Sequence, residues 1–522
     1  MQAPYSRTVF ELLQEQAAQR PDHPFAIADG RHFSYGEMAR RAAAVAGGLA
    51  ADGVGRGDRV GLLSNNRIEW LEAFFGAAAL GAVVAPFSTW STMAELEFLL
   101  EDAEVGTLFT LERYGEKDFA AGAQALAAKG AAPQLQRIVS LEGPVFDAYR
   151  AATPLAMQAP GACASAGDPL VLLYTSGSSS RPKCVPLLHY AAIENGFNIG
   201  ERQGLSPADR VLISIPLFWS YGAVNALLAT LSHGATLVLQ ERFEPGGALD
   251  LIERHRCTSI YTLPAMTNAL VAHPKFAKAR TSSLRTGVTI GAPQDVIRAA
   301  EDLGASEICN IYGQTEGYGN CCVTPHDWPL ARRAACQGPP LPGVALRIRD
   351  PESGVVLGAG SIGEIEVSGY LTPGYAGQSA VHNADVFTDD GFFRTGDLGV
   401  INLDGTLAYA GRRSEMIKRS GINVSPAEVE EALQQSAAVG LAGVAGVADA
   451  DKGEIIVAFV VSRPGAAANA EALRSHCRTL LSSYKLPDRI FFRDELPLTP
   501  TGKLMRRELT ALARAAIEGE TP

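Results

Sequence analysis

Four short stretches carry residue types that could do chemistry together. The first is "YTSGSSSRPK", Tyr174 to Lys183, where hydroxyl and glycine residues follow the apolar run "PLVLL" and end in a lone lysine. A strand running into such a loop presents backbone N–H groups and hydroxyls to one concavity. That suits phosphate oxygens, and a lysine at the end adds a point charge. Small side chains also let the backbone approach an anion closely. The letters are not a Walker A loop, which requires G-x-x-x-x-G-K-[ST]; here Lys183 follows Pro182 and precedes Cys184. On its own the stretch reads equally as an anion loop or a polar surface turn. The second stretch, "YGQTEG" (Tyr312 to Gly317), gathers an aromatic ring, amide and hydroxyl groups and a carboxylate just after the apolar "EICNI". The third, "FRTGDLG", is expected to set Asp397 in a glycine-flanked turn, and the fourth, "PLTPTGKLMRREL", carries Lys503 near the end of the chain.

These residues need a scaffold, and the sequence predicts one of alternating strands and helices. "DRVGLLSN" is a short apolar strand followed by the helical spacing of "EWLEAFFGAAALG". "ATLVLQ" then "GALDLIERHR", and "TSIYTLP" then "AMTNALVAH", repeat the alternation, which implies mostly parallel sheets covered by helices. Beyond the loop "QGPPLPGV", the segments "ALRIRD", "GEIEVSG" and "GTLAYAG" alternate at period two and suit a small antiparallel unit. After Gly411 the texture changes again. "PAEVEEALQQS" is an amphipathic helix begun by Pro426, "EIIVAFVVS" a buried strand and "ALRSHCRTLLSSY" a second helix, as expected of a separate α+β unit. The fold class expected is α/β: a large N-terminal domain of βα-layered subdomains with a β-rich subdomain, then a small α+β domain. The boundary is placed at 1–413 and 414–522.

Composition narrows the partners. The 522 residues predict two or three domains, and 47% hydrophobic with 19% charged residues mark a globular chain. A net charge of -11 argues against nucleic acid, which needs a basic face, but leaves room for a local cationic pocket. The longest uncharged run, "AFFGAAALGAVVAPFSTW" (Ala73 to Trp90), contains Pro86 and reads as a packed helix then a strand, not a membrane span. No signal peptide or lipidation motif is apparent. Eight cysteines without a CxxC pair predict a reduced, cytoplasmic protein, and the nine histidines are not spaced with them as zinc ligands. No G-x-S-x-G elbow of a serine hydrolase is present.

In their order and spacing the four stretches resemble the adenylate-forming superfamily of acyl- and aryl-CoA synthetases, luciferases and adenylation domains, over nearly the whole chain. The resemblance implies a large N-terminal domain and a small mobile C-terminal one, activation of a carboxylic acid with MgATP as acyl-AMP, and transfer to a thiol. It implies that Thr175, Ser176, Gly177, Ser178, Ser179 and Lys183 form the loop over the β- and γ-phosphates. Tyr312 stacks on adenine, opposite the backbone of Gly291, Ala292 and Pro293, and Asn310 reads the adenine amino group. Gly313 and Gln314 complete that nucleotide motif. Thr315 touches the α-phosphate, Glu316 binds Mg²⁺, with Thr175 as a second metal contact, and Asp397 accepts from the ribose hydroxyls beside Arg412. Lys503 offsets charge between the substrate carboxylate and the α-phosphate. Lys418 and Gly421, in "KRSGINV", belong to the face turned to the pantetheine of coenzyme A when the small domain rotates.

The chain departs from the family pattern in five places. Ser180 and Cys184 replace loop glycines, Ser414 replaces the usual hinge Asp or Lys, "TIGAP" puts Ile290 at a pocket position, and Trp219 in "PLFWSYG" stands where many relatives have histidine. The acyl pocket is expected to be lined by Trp219, Ser220, Tyr221, Asn225, Ile290, Tyr318 and Asn320. With no Lys, Arg or His in that set, a second anionic group on the acid would lack a partner. A compact acid is expected: aromatic, cyclic or short-to-medium acyl. Coenzyme A is the expected acceptor, since no carrier domain follows. A stand-alone domain loading a carrier protein, or a non-catalytic nucleotide-binding regulator, is the alternative; nothing supports a luciferase-like oxidation. The other partner expected is the small-molecule acid, with a second copy of the chain left open and no membrane.

Overall fold

The architecture comes from a computed structural model, which describes residues 2–155, 164–175, 181–419, 422–449, 452–463, 465–466, 469–499 and 503–519. The N-terminal part carries two open sheets. One has eight strands, in the order 322–323, 309–312, 286–289, 259–261, 210–213, 236–239, 24–28 and 31–34, parallel except at its two ends. The other has six, in the order 183–188, 169–175, 83–87, 59–63, 107–110 and 137–140, with the edge pair 169–175 and 183–188 antiparallel. The apolar run Ala73 to Trp90 is the end of helix Ile68–Ala79 followed by strand Val83–Phe87, both buried. Their small residues permit that closeness: a Cβ at Gly76 would come within 2.8 Å of Val45 on the neighbouring helix.

The largest apolar cluster fills the space between the sheets around Trp70, Phe74, Phe75, Leu228 and Leu231, all fully buried. Each such side chain contributes about 1.5–3 kcal/mol by leaving water. A third, antiparallel sheet of five strands (Ala345–Arg349, Val356–Leu357, Ile362–Ser368, Phe393–Ile401, Leu407–Arg412) closes one side of the cleft. At its centre the fully buried Glu366 is bracketed by Arg347 and Arg349, so the charge is compensated where it is dry. Asp397 is not in a turn, as its flanking glycines suggested. It lies within strand Phe393–Ile401, register-paired with Arg412. Gly396, at φ +72°, supplies a local kink that residues with a Cβ rarely adopt.

After Ser414 the chain forms a smaller α+β unit. Strand Val439–Asp449 pairs with Gly453–Ser462, helices Pro426–Gln434 and Ala470–Leu480 pack on one face, and helix Arg506–Glu518 packs on the other. Pro426 sits in the first turn as expected, with Ser425 accepting from the Glu428 amide. The second helix ends at Leu480, four residues before the periodicity suggested. Among the described residues seven cysteines are free, and all are buried. Among them, too, no helix is long and apolar enough to cross a membrane.

Candidate active site

The hairpin that carries the Ser/Gly loop fixes its lysine. Strand Pro169–Thr175 pairs with Lys183–Leu188 so that Lys183 stands opposite Thr175. Ser176, Gly177, Ser178, Ser179 and Ser180 lie outside the described residues, so only the two ends of the loop are placed. Cys184, the first departure beyond the lysine, is buried against the segment 375–379: its amide donates to Ser379 Oγ (3.0 Å) and its carbonyl accepts from the Ala376 amide (3.0 Å). Burial pushes the Cys184 thiol up to about 12. The side chain therefore serves packing under the loop.

Lys183 and Thr175 open onto a cavity of about 1230 Å³. Gly313, Gln314, Thr315 and Glu316 line it from the loop after strand Cys309–Tyr312, Arg412 and Ser414 from the junction between the two units, and Lys503 from the small unit. The lysine is anchored by two bonds to Thr499: its amide donates to Thr499 Oγ1 (3.0 Å), and its carbonyl accepts from the Thr499 amide (2.7 Å). Its side chain is open to the cavity and enclosed by atoms of both units. That enclosure, with Arg412 nearby, lowers the pKa of the ammonium below the usual lysine range, against the opposing pull of Asp397.

Two clusters organise the polar half of the cavity. Asp397 is 3% exposed; its Oδ2 accepts from Tyr312 Oη (2.9 Å) and Gln314 Nε2 (2.6 Å), and its Oδ1 from Arg412 Nε (3.0 Å). A carboxylate has about four lone-pair sites, so about one remains for a further donor. Tyr312 and Tyr409 lie ring to ring at 5.8 Å. The second cluster centres on Tyr375, which the sequence reading missed. Its hydroxyl donates to Glu316 Oε1 (2.7 Å), and Lys183 Nζ stands 4.7 Å from the centre of its ring. Burial, and then the facing Glu316, raise this hydroxyl well above the ordinary phenol range, so it stays a donor. The signal was an aromatic between glycines in "TPGYAG", where Gly374 at φ +134° turns the chain back toward the cavity.

The half expected to hold the acid is aromatic. Trp219 meets Trp90 at 5.3 Å and Phe218 at 6.1 Å, both edge to face. Ser220, Tyr221, Ile290, Gly319 and Asn320 complete the wall. Tyr221 offers its ring alone, because its hydroxyl donates to the Val288 carbonyl (3.0 Å). Ser220 Oγ lies 3.3 Å from Thr315 Oγ1, joining the two halves.

Several expected residues do not line the cavity. Asn310 is fully buried: its Nδ2 donates to the Cys336 carbonyl (3.0 Å), and its Oδ1, the atom that would accept from an adenine amino group, accepts from the Ile311 amide (3.0 Å). Tyr318 adopts φ +61°, and its hydroxyl, off the cavity wall, accepts from the Leu188 amide (2.9 Å). Asn225 stands behind Gly319 and donates to the Tyr318 carbonyl. Gly291, Ala292 and Pro293 form the turn into helix Pro293–Glu301, where Asp295 accepts from the Ala292 amide (3.0 Å), beside the wall and not in it. Tyr312 and Asp397 likewise stand behind the rim. Lys418 is exposed on strand Ile417–Arg419, away from the cavity, and Gly421 lies outside the described residues.

Comparison with known proteins matches this geometry to one family. The AMP-binding enzyme model matches residues 13–376, and the AMP-binding enzyme C-terminal domain model matches residues 428–503. The acyl-CoA ligase SID4 of Ajellomyces capsulatus is 31% identical, over 99% of this chain and 93% of its own. ATP-bound MatB from Rhodopseudomonas palustris superposes with a TM-score of 0.86 at 28% identity, over 97% of this chain and 99% of that one. The anthranilate CoA ligase AuaEII, in complex with anthranoyl-AMP, gives 0.88 at 27% identity over 99% of both chains. The chain belongs to the AMP-binding, adenylate-forming enzymes, among their acyl- and aryl-CoA ligase-like members.

Proposed function

We propose that this protein is an AMP-forming acid–thiol ligase that activates a compact organic acid with MgATP and passes the acyl group to coenzyme A. One observation carries the reading: Lys503, from the small unit, shares a single cavity with Lys183, Thr315 and Glu316 of the large one. A carboxylate resists nucleophilic chemistry because it is anionic, and the α-phosphate it attacks is anionic too. Cations and donors held in place are what the step needs. Lys183, with the loop from Thr175, is assigned to the β- and γ-phosphates, and Thr315 to the α-phosphate. Lys503 is assigned to the point where carboxylate and α-phosphate meet.

Glu316 fits a hard divalent cation. Its carboxylate is held by Tyr375 at one oxygen and lines the cavity, and Mg²⁺ is usually bound by one or two carboxylates plus substrate phosphates. Bound there, Mg²⁺ would neutralise phosphate charge. Asp397 and Arg412 are assigned to the ribose, and Tyr312 to the adenine face. Ser414 is taken as the hinge, with 1–413 as the N-terminal domain and 414–522 as the rotating one. A lysine already in the cavity suits the adenylation step, while Lys418 and Gly421 are reserved for the thiol step. The aromatic acyl wall, with no cation of its own, supports a compact acid with a single carboxylate.

Pyrophosphate release across a panel of carboxylic acids, with and without coenzyme A, tests this. Release together with an acyl-CoA product is expected. Release without thioester would favour a carrier protein as acceptor, and no release with any acid would favour a nucleotide-binding regulator.

A further inference from the structure

We propose that Lys117 governs which acids the protein accepts, by holding the turn that carries Trp90. This rests on the ligase reading and adds a specificity-determining residue to it. Trp90 lies in the turn 88–92, between strand Val83–Phe87 and helix Met93–Asp102. Its indole is edge to face with Phe218 and with Trp219, both at 5.3 Å. The three rings line the large cavity and also a second, mostly apolar one of about 250 Å³. They therefore form part of the wall between the two.

The rings are held in different ways. The Trp219 amide donates to the Pro216 carbonyl (3.2 Å), and its own carbonyl accepts from the amides of Gly222 (3.0 Å) and Ala223 (2.8 Å). Trp90 has no helix or strand to fix it, and its side chain is not sealed by burial, since the residue is 38% exposed. The turn is closed by the Ser91 amide on the Ser88 carbonyl (3.1 Å) and the Trp90 amide on Ser88 Oγ (3.1 Å). Three consecutive carbonyls then point to one place. Those of Thr89, Trp90 and Ser91 all accept from Lys117 Nζ, at 3.2, 2.6 and 3.0 Å. An ammonium has three donors, and all three are used here. Without a cation at their meeting point, the three oxygens would repel one another.

Lys117 is anchored independently of the turn. It stands opposite Tyr114 in the short hairpin of Arg113–Tyr114 and Lys117–Asp118. The next residue, Asp118, caps helix Phe119–Ala128 by accepting from the Ala121 amide (3.0 Å). Lys117 lines neither cavity, so it acts on the acid through Trp90 and is a positioning residue. With its ammonium gone, the turn loses its common donor, the indole can leave Phe218 and Trp219, and the wall no longer excludes bulk.

The test uses Lys117→Met, which keeps the stem and removes the donors, with two acid pairs: benzoate with biphenyl-4-carboxylate, and hexanoate with decanoate. The ratio of kcat/KM, larger acid over smaller, is expected to rise about tenfold, with KM for ATP unmoved. In a Trp90→Ala background the same substitution is expected to change the ratio no further, because two residues acting as a unit are not additive. Lys117→Arg keeps the charge, but its planar fork cannot aim at three carbonyls together. It is expected to shift the ratio the same way by less, and it serves should the methionine variant not fold. Acrylamide quenching of Trp90 fluorescence, taken as the difference between each protein and its Trp90→Phe form, is expected to steepen in Lys117→Met. Equal loss with every acid, or a shift as large in the Trp90→Ala background as in the wild type, would overturn the proposal. If no acid releases pyrophosphate, the ligase reading fails, and thermal-shift titration with the same four acids reads preference by binding. A preference that Lys117→Met reorders would then uphold the proposal, and one that it leaves unchanged would overturn it.

Discussion

The two halves of the cavity are built differently. On the side assigned to the nucleotide the polar groups already have protein partners: Asp397 holds three donors, Glu316 is braced by Tyr375, and Lys183 rests on the Tyr375 ring. On the side assigned to the acid, aromatic rings form the wall, and Asn225 is buried behind it. Chemistry common to every substrate favours fixed, pre-satisfied groups, because donors that need not reorganise stabilise a transition state best. Choice among substrates rests instead on the shape and chemistry of the wall that meets the variable part of the acid. A change on the first side should therefore alter rate or nucleotide binding whatever the acid, and a change on the second should alter which acid is used.

The largest effect is expected from Lys503→Ala. Acyl-AMP formation should drop by about a hundred- to a thousand-fold, on the scale of losing one transition-state donor, with thioester formation from supplied acyl-AMP largely intact. Single-turnover assays of the two half-reactions measure this, and equal loss of both would remove the assigned role. Next comes Asp397→Asn. It places an amide where Tyr312, Gln314 and Arg412 all donate, and should raise KM for ATP by about ten- to a hundred-fold with the order of preference among acids unchanged. A reordered acid profile would break the division between the halves.

Trp219→Ala is the converse experiment. Removing the indole from its contacts with Trp90 and Phe218 should shift relative kcat/KM toward bulkier or longer acids by about tenfold, with KM for ATP unmoved. An unchanged substrate profile would take Trp219 out of the pocket. The smallest effect concerns pH. The Lys503 ammonium must be charged to act, so adenylation is present below its pKa and lost as pH rises through it. Because burial and Arg412 lower that pKa, the alkaline limb should fall below the ordinary lysine range. Arg412→Gln should move the limb upward. A limb that stays put would mean the arginine charge is not felt at the lysine.

The same division explains what could be read from the sequence. Anion chemistry demands particular residue types, so Lys183, Thr315, Glu316 and Lys503 stood out by type and spacing, and the structure brings them to one cavity. The βα alternation was legible for a similar reason, since each apolar run has only one way to bury itself beside its neighbours. The acyl wall was not. Tyr318 and Asn225 lie near the wall in sequence, but the first sets its hydroxyl on the Leu188 amide, off the cavity wall, and a glycine separates the second from the cavity. Asn310 was assigned by resemblance alone, and its partners, the Cys336 carbonyl and the Ile311 amide, show only in the fold. Tyr375 was missed because its value depends on touching two distant segments at once.

The buried cysteines bear on how the protein can be watched. In the large unit, Cys184, Cys257 and Cys309 have thiols pushed up to about 12 by burial; in the small one, burial raises Cys477 to about 11. A thiolate, not a thiol, reacts with electrophiles, so these positions stay silent to alkylating reagents while the fold holds. They become reporters the moment it opens. Cys477 belongs to the core of the small unit and the others to the large one, so the order in which they are modified during denaturant-induced unfolding dates the opening of each unit separately.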